Sequence, residues 1–97
     1  MKTHKDLDVW NKSIDLVEDI YKLTKEFPKE ELYGLTNQLR RASVSISSNI
    51  AEGAARNSNK EFIQFLYIAK GSLSETKSQL YRAFDRKYVN DIILNGR

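Results

Sequence analysis

The chain has 97 residues, 40% apolar and 30% charged, with a formal net charge of +3 at pH 7, which makes one domain, residues 1–97, with room for one core. It has no cysteine, which excludes a disulfide framework, a thiolate nucleophile and a Cys-based zinc site, and one proline with four glycines is too few for a strand-and-turn protein. The longest apolar run falls far short of a membrane span, and the start, Met1-Lys2-Thr3-His4-Lys5-Asp6, lacks the apolar core of a signal peptide, so a cytoplasmic protein without a membrane is expected.

The first helix is expected over residues 6–25. Acidic residues in its first turn suit the positive end of the helix dipole. It stops before Phe27-Pro28, because the residue preceding proline is pushed out of the α region. At about 100° per residue, Leu7, Trp10, Ile14, Val17 and Tyr21 form one band, and Val9, Leu16, Ile20, Leu23 and Phe27 form a second. Together they cover about 200° of the circumference, well beyond a single amphipathic stripe. A helix so widely apolar needs neighbours on two sides.

The second helix is expected over residues 34–55, on a stripe of Leu35, Leu39, Ala42, Ile46, Ile50 and Ala54. Ser43, Ser45, Ser47 and Ser48 interrupt it. Serine is a mediocre helix former because its hydroxyl competes for backbone groups, but its small size lets a facing helix come close. Packing, not a serine nucleophile, is the expected meaning.

After a short corner, Ser58-Asn59-Lys60-Glu61 has the pattern of a capping box opening a third helix over residues 59–87. Phe62, Leu66, Ala69, Leu73, Thr76, Leu80 and Ala83 alternate by four and three, the clearest heptad in the chain. Gly71 shares a side with Ser74 and Ser78, which suggests close backbone approach there. Residues 89–95 allow a fourth helix of two turns at most. The expected fold is all-α, an antiparallel up-down bundle of three long helices plus a short or truncated fourth. A chain this small buries only about 60–65% of its unfolded surface, so the apolar excess points to identical copies sharing the burden.

Metal and catalytic signatures are absent. The single histidine, His4, sits at the chain start, no Glu-x-x-His pair exists, and neither glycine-rich phosphate motif occurs. A Ser-His-Asp triad would have to use His4. The chain is read as non-enzymatic, with no cofactor and no metal.

Three polar constellations remain. Arg41, Ser45, Ser48 and Glu52 form one ridge of the second helix, with Asn49 alongside and Glu75 as a plausible partner for an arginine. The expected role of Arg41, Asn49, Glu52 and Glu75 is structural: they satisfy one another across helices and fix register. On the third helix, Tyr67, Lys70, Ser74, Lys77, Tyr81 and Tyr88 form a stripe in which lysines could meet phosphates while rings stack on unpaired bases. The plainer alternative is an interface flanked by tyrosines, with lysine stems lying over it. Arg40 and Arg41, with Arg56 at the far end of the second helix, could add phosphate contacts, although isolated arginines usually pair with carboxylates. The candidate nucleic-acid set is therefore Arg40, Arg41, Tyr67, Lys70, Lys77 and Tyr81. Residues 58–97 carry seven basic groups against four acidic, an excess that permits an anionic partner without demanding one.

Leu7-Asp8-Val9-Trp10, Tyr33-Gly34-Leu35-Thr36, Gln38-Leu39-Arg40-Arg41-Ala42, Ser48-Asn49-Ile50-Ala51-Glu52-Gly53 and Gly71-Ser72-Leu73-Ser74-Glu75 carry a resemblance. Over about residues 5–88 the chain resembles the bacterial four-helix-bundle proteins encoded within intervening sequences of 23S ribosomal RNA genes, sometimes labelled putative ribosomal proteins. The resemblance implies an antiparallel bundle that assembles into a ring, a homopentamer, and an association with ribosomal RNA. It carries over no catalytic residue. The chain departs from the family at Ser47, where proline is common, and in its short last segment, where the family continues into a full fourth helix.

Overall fold

The computed structural model describes residues 3–89. Three long helices carry that stretch, α1 (Asp8–Thr24), α2 (Leu35–Ala54) and α3 (Asn59–Asp85), and no strand occurs among the described residues. The all-α expectation holds. Of the expected helix at 89–95, Val89 is buried and not helical, and the remainder lies outside the described residues.

The helix ends differ from the expected ones for local reasons. At the start, Asp6 does not open α1. Its carboxylate instead accepts the Thr3 N–H at 2.8 Å, closing a separate 3₁₀ turn, His4–Asp6. Leu7 is then extended, and α1 begins one residue later. The turn after α1 passes through Pro28 into a second 3₁₀ turn, Lys29–Glu31, before α2 starts at Leu35. Ser58 caps α3 by accepting the Glu61 N–H at 3.2 Å, which forms one half of the expected capping box; the complete reciprocal box is found instead at Thr3 and Asp6.

α3 stops two residues short of 87. Lys87 adopts the left-handed conformation, φ 66°. Its N–H donates to the Phe84 carbonyl and the Tyr88 N–H to the Ala83 carbonyl, both at 2.8 Å. This pair of bonds is a Schellman closure. It turns the chain back and lays Val89 into the core beside Ile20 and Leu80.

α2 is the spine of the molecule. Leu35, Leu39, Ala42, Ile46 and Ile50 are all buried, as their spacing predicts. The start of α2 meets the end of α3, where Arg82 donates to Gln38, and the end of α2 meets the start of α3, where Gly53 lies under Phe62 and Phe65. Leu35, Leu39, Ile20, Phe27, Leu80 and Ala83 gather at one end of the core. Ile46, Ile50 and Ala69 gather at the other with Leu7, Trp10 and Leu66, and Leu16 touches both groups.

α1 and α3 each pack along α2, yet no Cα of one comes within 8 Å of a Cα of the other. The wide apolar arc of α1 is thus covered on one side and partly open on the other, with Val9 48% exposed. Gly71 is a correction. A Cβ built on it would meet nothing within 4 Å, so it marks no close approach. Gly53 does: a Cβ there would sit 2.7 Å from Phe65 Cβ.

Candidate nucleic-acid interface

α3 presents Tyr67, Lys70, Ser74, Lys77 and Tyr81 to solvent on one side, with Tyr67 69% and Tyr81 60% exposed. Steps of three and four residues on a helix keep these side chains in a single strip. The α2-facing side of α3 is taken by Ser72, Thr76, Leu80 and Ala83, so the strip can only look outward. Neither Lys70 nor Lys77 has a carboxylate within 4.0 Å among the described residues. Glu75, the only carboxylate on α3 between Glu61 and Asp85, lines a depression beside Arg41 and Ser45 of α2, away from the strip. The result is a run of α3 surface with cations and rings and no acid.

Tyr88 does not belong to that strip. The Schellman turn carries it inward, its ring centroid 5.3 Å from that of Phe27 and its hydroxyl donating to Glu31 at 3.0 Å. The arginines of the candidate set are also elsewhere. Arg40 is half-buried between α1 and α2, its Nε donating to Thr24 Oγ1 at 2.8 Å and its guanidinium 4.6 Å from the Tyr21 ring centroid. Arg41 is exposed on the outward side of α2. The structure therefore brings together Tyr67, Lys70, Lys77 and Tyr81, and it separates Arg40 and Arg41 from them.

The polar cluster of Arg41, Asn49, Glu52 and Glu75 divides into three parts. Asn49 donates to the Ser45 carbonyl at 2.8 Å and to its hydroxyl at 3.1 Å, and Ser72 of α3 donates to the same hydroxyl at 2.9 Å. This part does tie α2 to α3. Glu52 instead pairs with Arg56 one turn on, at 3.6 Å, while Arg56 lies 5.0 Å from the Phe65 ring centroid. Arg41 and Glu75 line one shallow depression with Tyr33, Asn37 and Gln38, but make no ion pair within 4.0 Å. The expected network of four is not formed.

Glu31 has a role that sequence reasoning missed. Its side chain is only 14% exposed and accepts from Arg86 and from Tyr88 at 3.0 Å each, and from the Leu35 N–H at 3.3 Å. It joins the start of α2 to the turn that ends α3. The Tyr88 hydroxyl and then the Leu35 N–H hold its carboxyl below the ordinary carboxylate value against the opposing effect of burial, with lesser help from the nearby Arg86 and Arg82 charges. Its place four residues before Leu35 was a local signal. Its link to Arg86, 55 residues away, left none.

A family model, the 23S rRNA-intervening sequence protein, matches residues 5–95. The chain belongs to that family. The match to the 23S rRNA-intervening sequence protein family covers all three long helices and the Schellman turn. A comparison with curated proteins finds no match. Among the described residues of this family member, no group of His, Cys, Asp and Glu is placed to hold a metal ion, and no helix is long and apolar enough to cross a membrane.

Proposed function

We propose that the protein is a non-enzymatic, cytoplasmic, self-associating member of its family that binds ribosomal RNA through the outward strip of α3. Lys70 and Lys77 contact phosphates, and Tyr67 and Tyr81 stack on unpaired bases. The observation that carries this reading is the absence of any carboxylate from a strip whose two rings are 69% and 60% exposed. A solvated helix face ordinarily mixes charges of both signs and keeps large rings covered. Arg40 is left out, because its guanidinium already has two partners.

In the same proposal the helices form an antiparallel up-down bundle in which α1 and α3 occupy diagonal positions on either side of α2. Diagonal helices in such a bundle keep their backbones apart while their side chains meet in the core, in line with α1 and α3 having no Cα pair within 8 Å yet sharing both core clusters. Two lysines per chain give weak attraction, and self-association multiplies it by placing several strips on one RNA.

A filter-binding titration with structured and unstructured 23S rRNA fragments at two ionic strengths tests this. Retention at low salt that falls steeply at high salt is expected, and Lys70→Glu with Lys77→Glu abolishes it. No retention of any fragment at low salt would remove the proposal. A second reading is favoured by the apolar residues bordering the strip, Ile63 at 51% and Leu73 at 37% exposed. There the strip is a protein interface and the protein a scaffold. That reading expects the same double variant to change the mass of the assembly while no RNA is retained.

A further inference from the structure

Two open depressions flank a ridge of α2 made by Asn37, Arg41 and Ser45, which line both. The one toward α3 also holds Glu75, whose carboxylate opposes any anion there. The one toward α1 is completed by Tyr21, Arg40 and Val44 and has a volume of about 480 Å³, within the range of small-molecule sites. Its lining contains two guanidiniums and no carboxylate.

Arg40 is held in a fixed orientation at this depression. Thr24, only 3% exposed, donates its hydroxyl to the Ile20 carbonyl at 2.7 Å, which fixes the oxygen that accepts the Arg40 Nε–H at 2.8 Å. The Tyr21 ring covers one face of the guanidinium, its centroid 4.6 Å away. These contacts take Nε and a face, and they leave the four N–H groups of the two terminal nitrogens. No carboxylate lies within 4.0 Å of Arg40 among the described residues, although it is half-buried. A guanidinium already oriented, partly desolvated and open at its fork is preorganised for an oxyanion. Ser45 adds a further donor. Its hydroxyl oxygen accepts from Asn49 and from Ser72, and its own proton has no acceptor among the described residues.

We infer that the depression between α1 and α2 binds a phosphate monoester, with Arg40 and Arg41 sharing its dianion and Ser45 and Asn37 donating to it. Two guanidiniums match the two charges of the ionised ester. Tyr21 and Val44, 39% and 38% exposed, offer apolar contact to its organic part. An RNA strand fits less well, because each backbone phosphate carries one charge and Glu75 lies just beyond Arg41. The site rests neither on the RNA-binding strip of α3 nor on self-association.

NMR of the isotope-labelled protein, with calorimetry for affinity, tests this using adenosine 5′-monophosphate, inorganic phosphate and adenosine. The monophosphate is expected to saturate at millimolar concentration or below, shifting the Arg40 Nε–H and Asn37 side-chain signals and leaving the strip unmoved. Inorganic phosphate shifts the same signals about tenfold more weakly, and adenosine shifts none. Neither carboxylate nor histidine lines the depression. Affinity therefore follows the ester's own second ionisation near about pH 6, rising about tenfold from about pH 5 to about pH 7.5. Arg41→Gln, at an exposed position, and Arg40→Lys, which keeps the charge and loses the fork, each weaken binding about tenfold with helical circular dichroism unchanged. Filter retention of RNA is unaffected by either variant, so failure here and failure of the RNA reading are distinguishable. No saturation, adenosine binding as tightly as its monophosphate, or variants that bind unchanged would each overturn the inference. Inorganic phosphate binding as tightly as the ester would overturn it in favour of the free anion, and displacement of the ester by single-stranded RNA in favour of the RNA backbone.

Discussion

Glu31 shows how much one side chain can hold when its donors come from distant parts of the chain. A carboxyl whose value is lowered in the folded state stabilises the fold at pH above the ordinary carboxylate range. That contribution fades as pH falls through the ordinary value of about 4.3 toward the lowered one. Thermal melts of wild type and Glu31→Gln are therefore expected to differ most near neutral pH and to converge on acidification, once the pH has fallen below the lowered value. A gap that widened in acid would contradict the assignment of Glu31 as the anionic partner. Two glycine-related positions make opposite predictions. Gly53→Ala forces a Cβ to within 2.7 Å of Phe65 Cβ, an atom fixed to the α3 backbone. The variant is expected to lose about 1–2 kcal/mol, since overpacking outweighs the gain in helix propensity. Lys87→Gly relieves the left-handed strain at φ 66° and is expected to gain roughly 1 kcal/mol. Denaturant melts of both variants check the two signs.

At the scale of the element, α2 dominates the core and was the most legible part of the sequence. Its stripe at spacings of three and four is a periodic signal that survives any tertiary context, and Leu35, Leu39, Ile46 and Ile50 are buried as it predicts. Leu39→Ala, at a fully buried position, is expected to cost about 2–5 kcal/mol, shifting the melting midpoint by about 8 °C or more at roughly 4–8 °C per kcal/mol. A shift of only a few degrees would show that α2 is not the spine. The ends were less legible, because a cap is a choice among local partners: Asp6 could open α1 or bond Thr3, and it bonds Thr3. Gly71 and Gly53 were indistinguishable as letters; only the position of Phe65 on the facing helix separates them. The same limit applies to the sites. The strip of Tyr67, Lys70, Lys77 and Tyr81 follows from helical phase alone, whereas Tyr88 leaves it because a Schellman turn intervenes. Arg40 was drawn away by Thr24 and Tyr21, contacts set by how α1 crosses α2 and not by any motif.

As a whole, the molecule is an elongated body of 44 × 21 × 19 Å in which two surfaces of different chemistry lie on different elements. The strip of α3 is acid-free and aromatic. The depression between α1 and α2 carries Arg40 and Arg41 together. RNA is assigned to the first and a small phosphate monoester to the second. For the first, the logarithmic slope of affinity against salt should fall by about 1.4–2 when Lys70 and Lys77 are both replaced by glutamine, close to one unit per phosphate contact. The most direct test is an NMR titration of the isotope-labelled protein with a single-stranded 23S rRNA fragment at low salt. The perturbed amides and tyrosine ring signals are expected to cluster at Tyr67, Lys70, Ser74, Lys77 and Tyr81, with the Arg40–Arg41 depression unchanged. Perturbations centred on that depression, or none anywhere on α3, would contradict RNA binding through the strip.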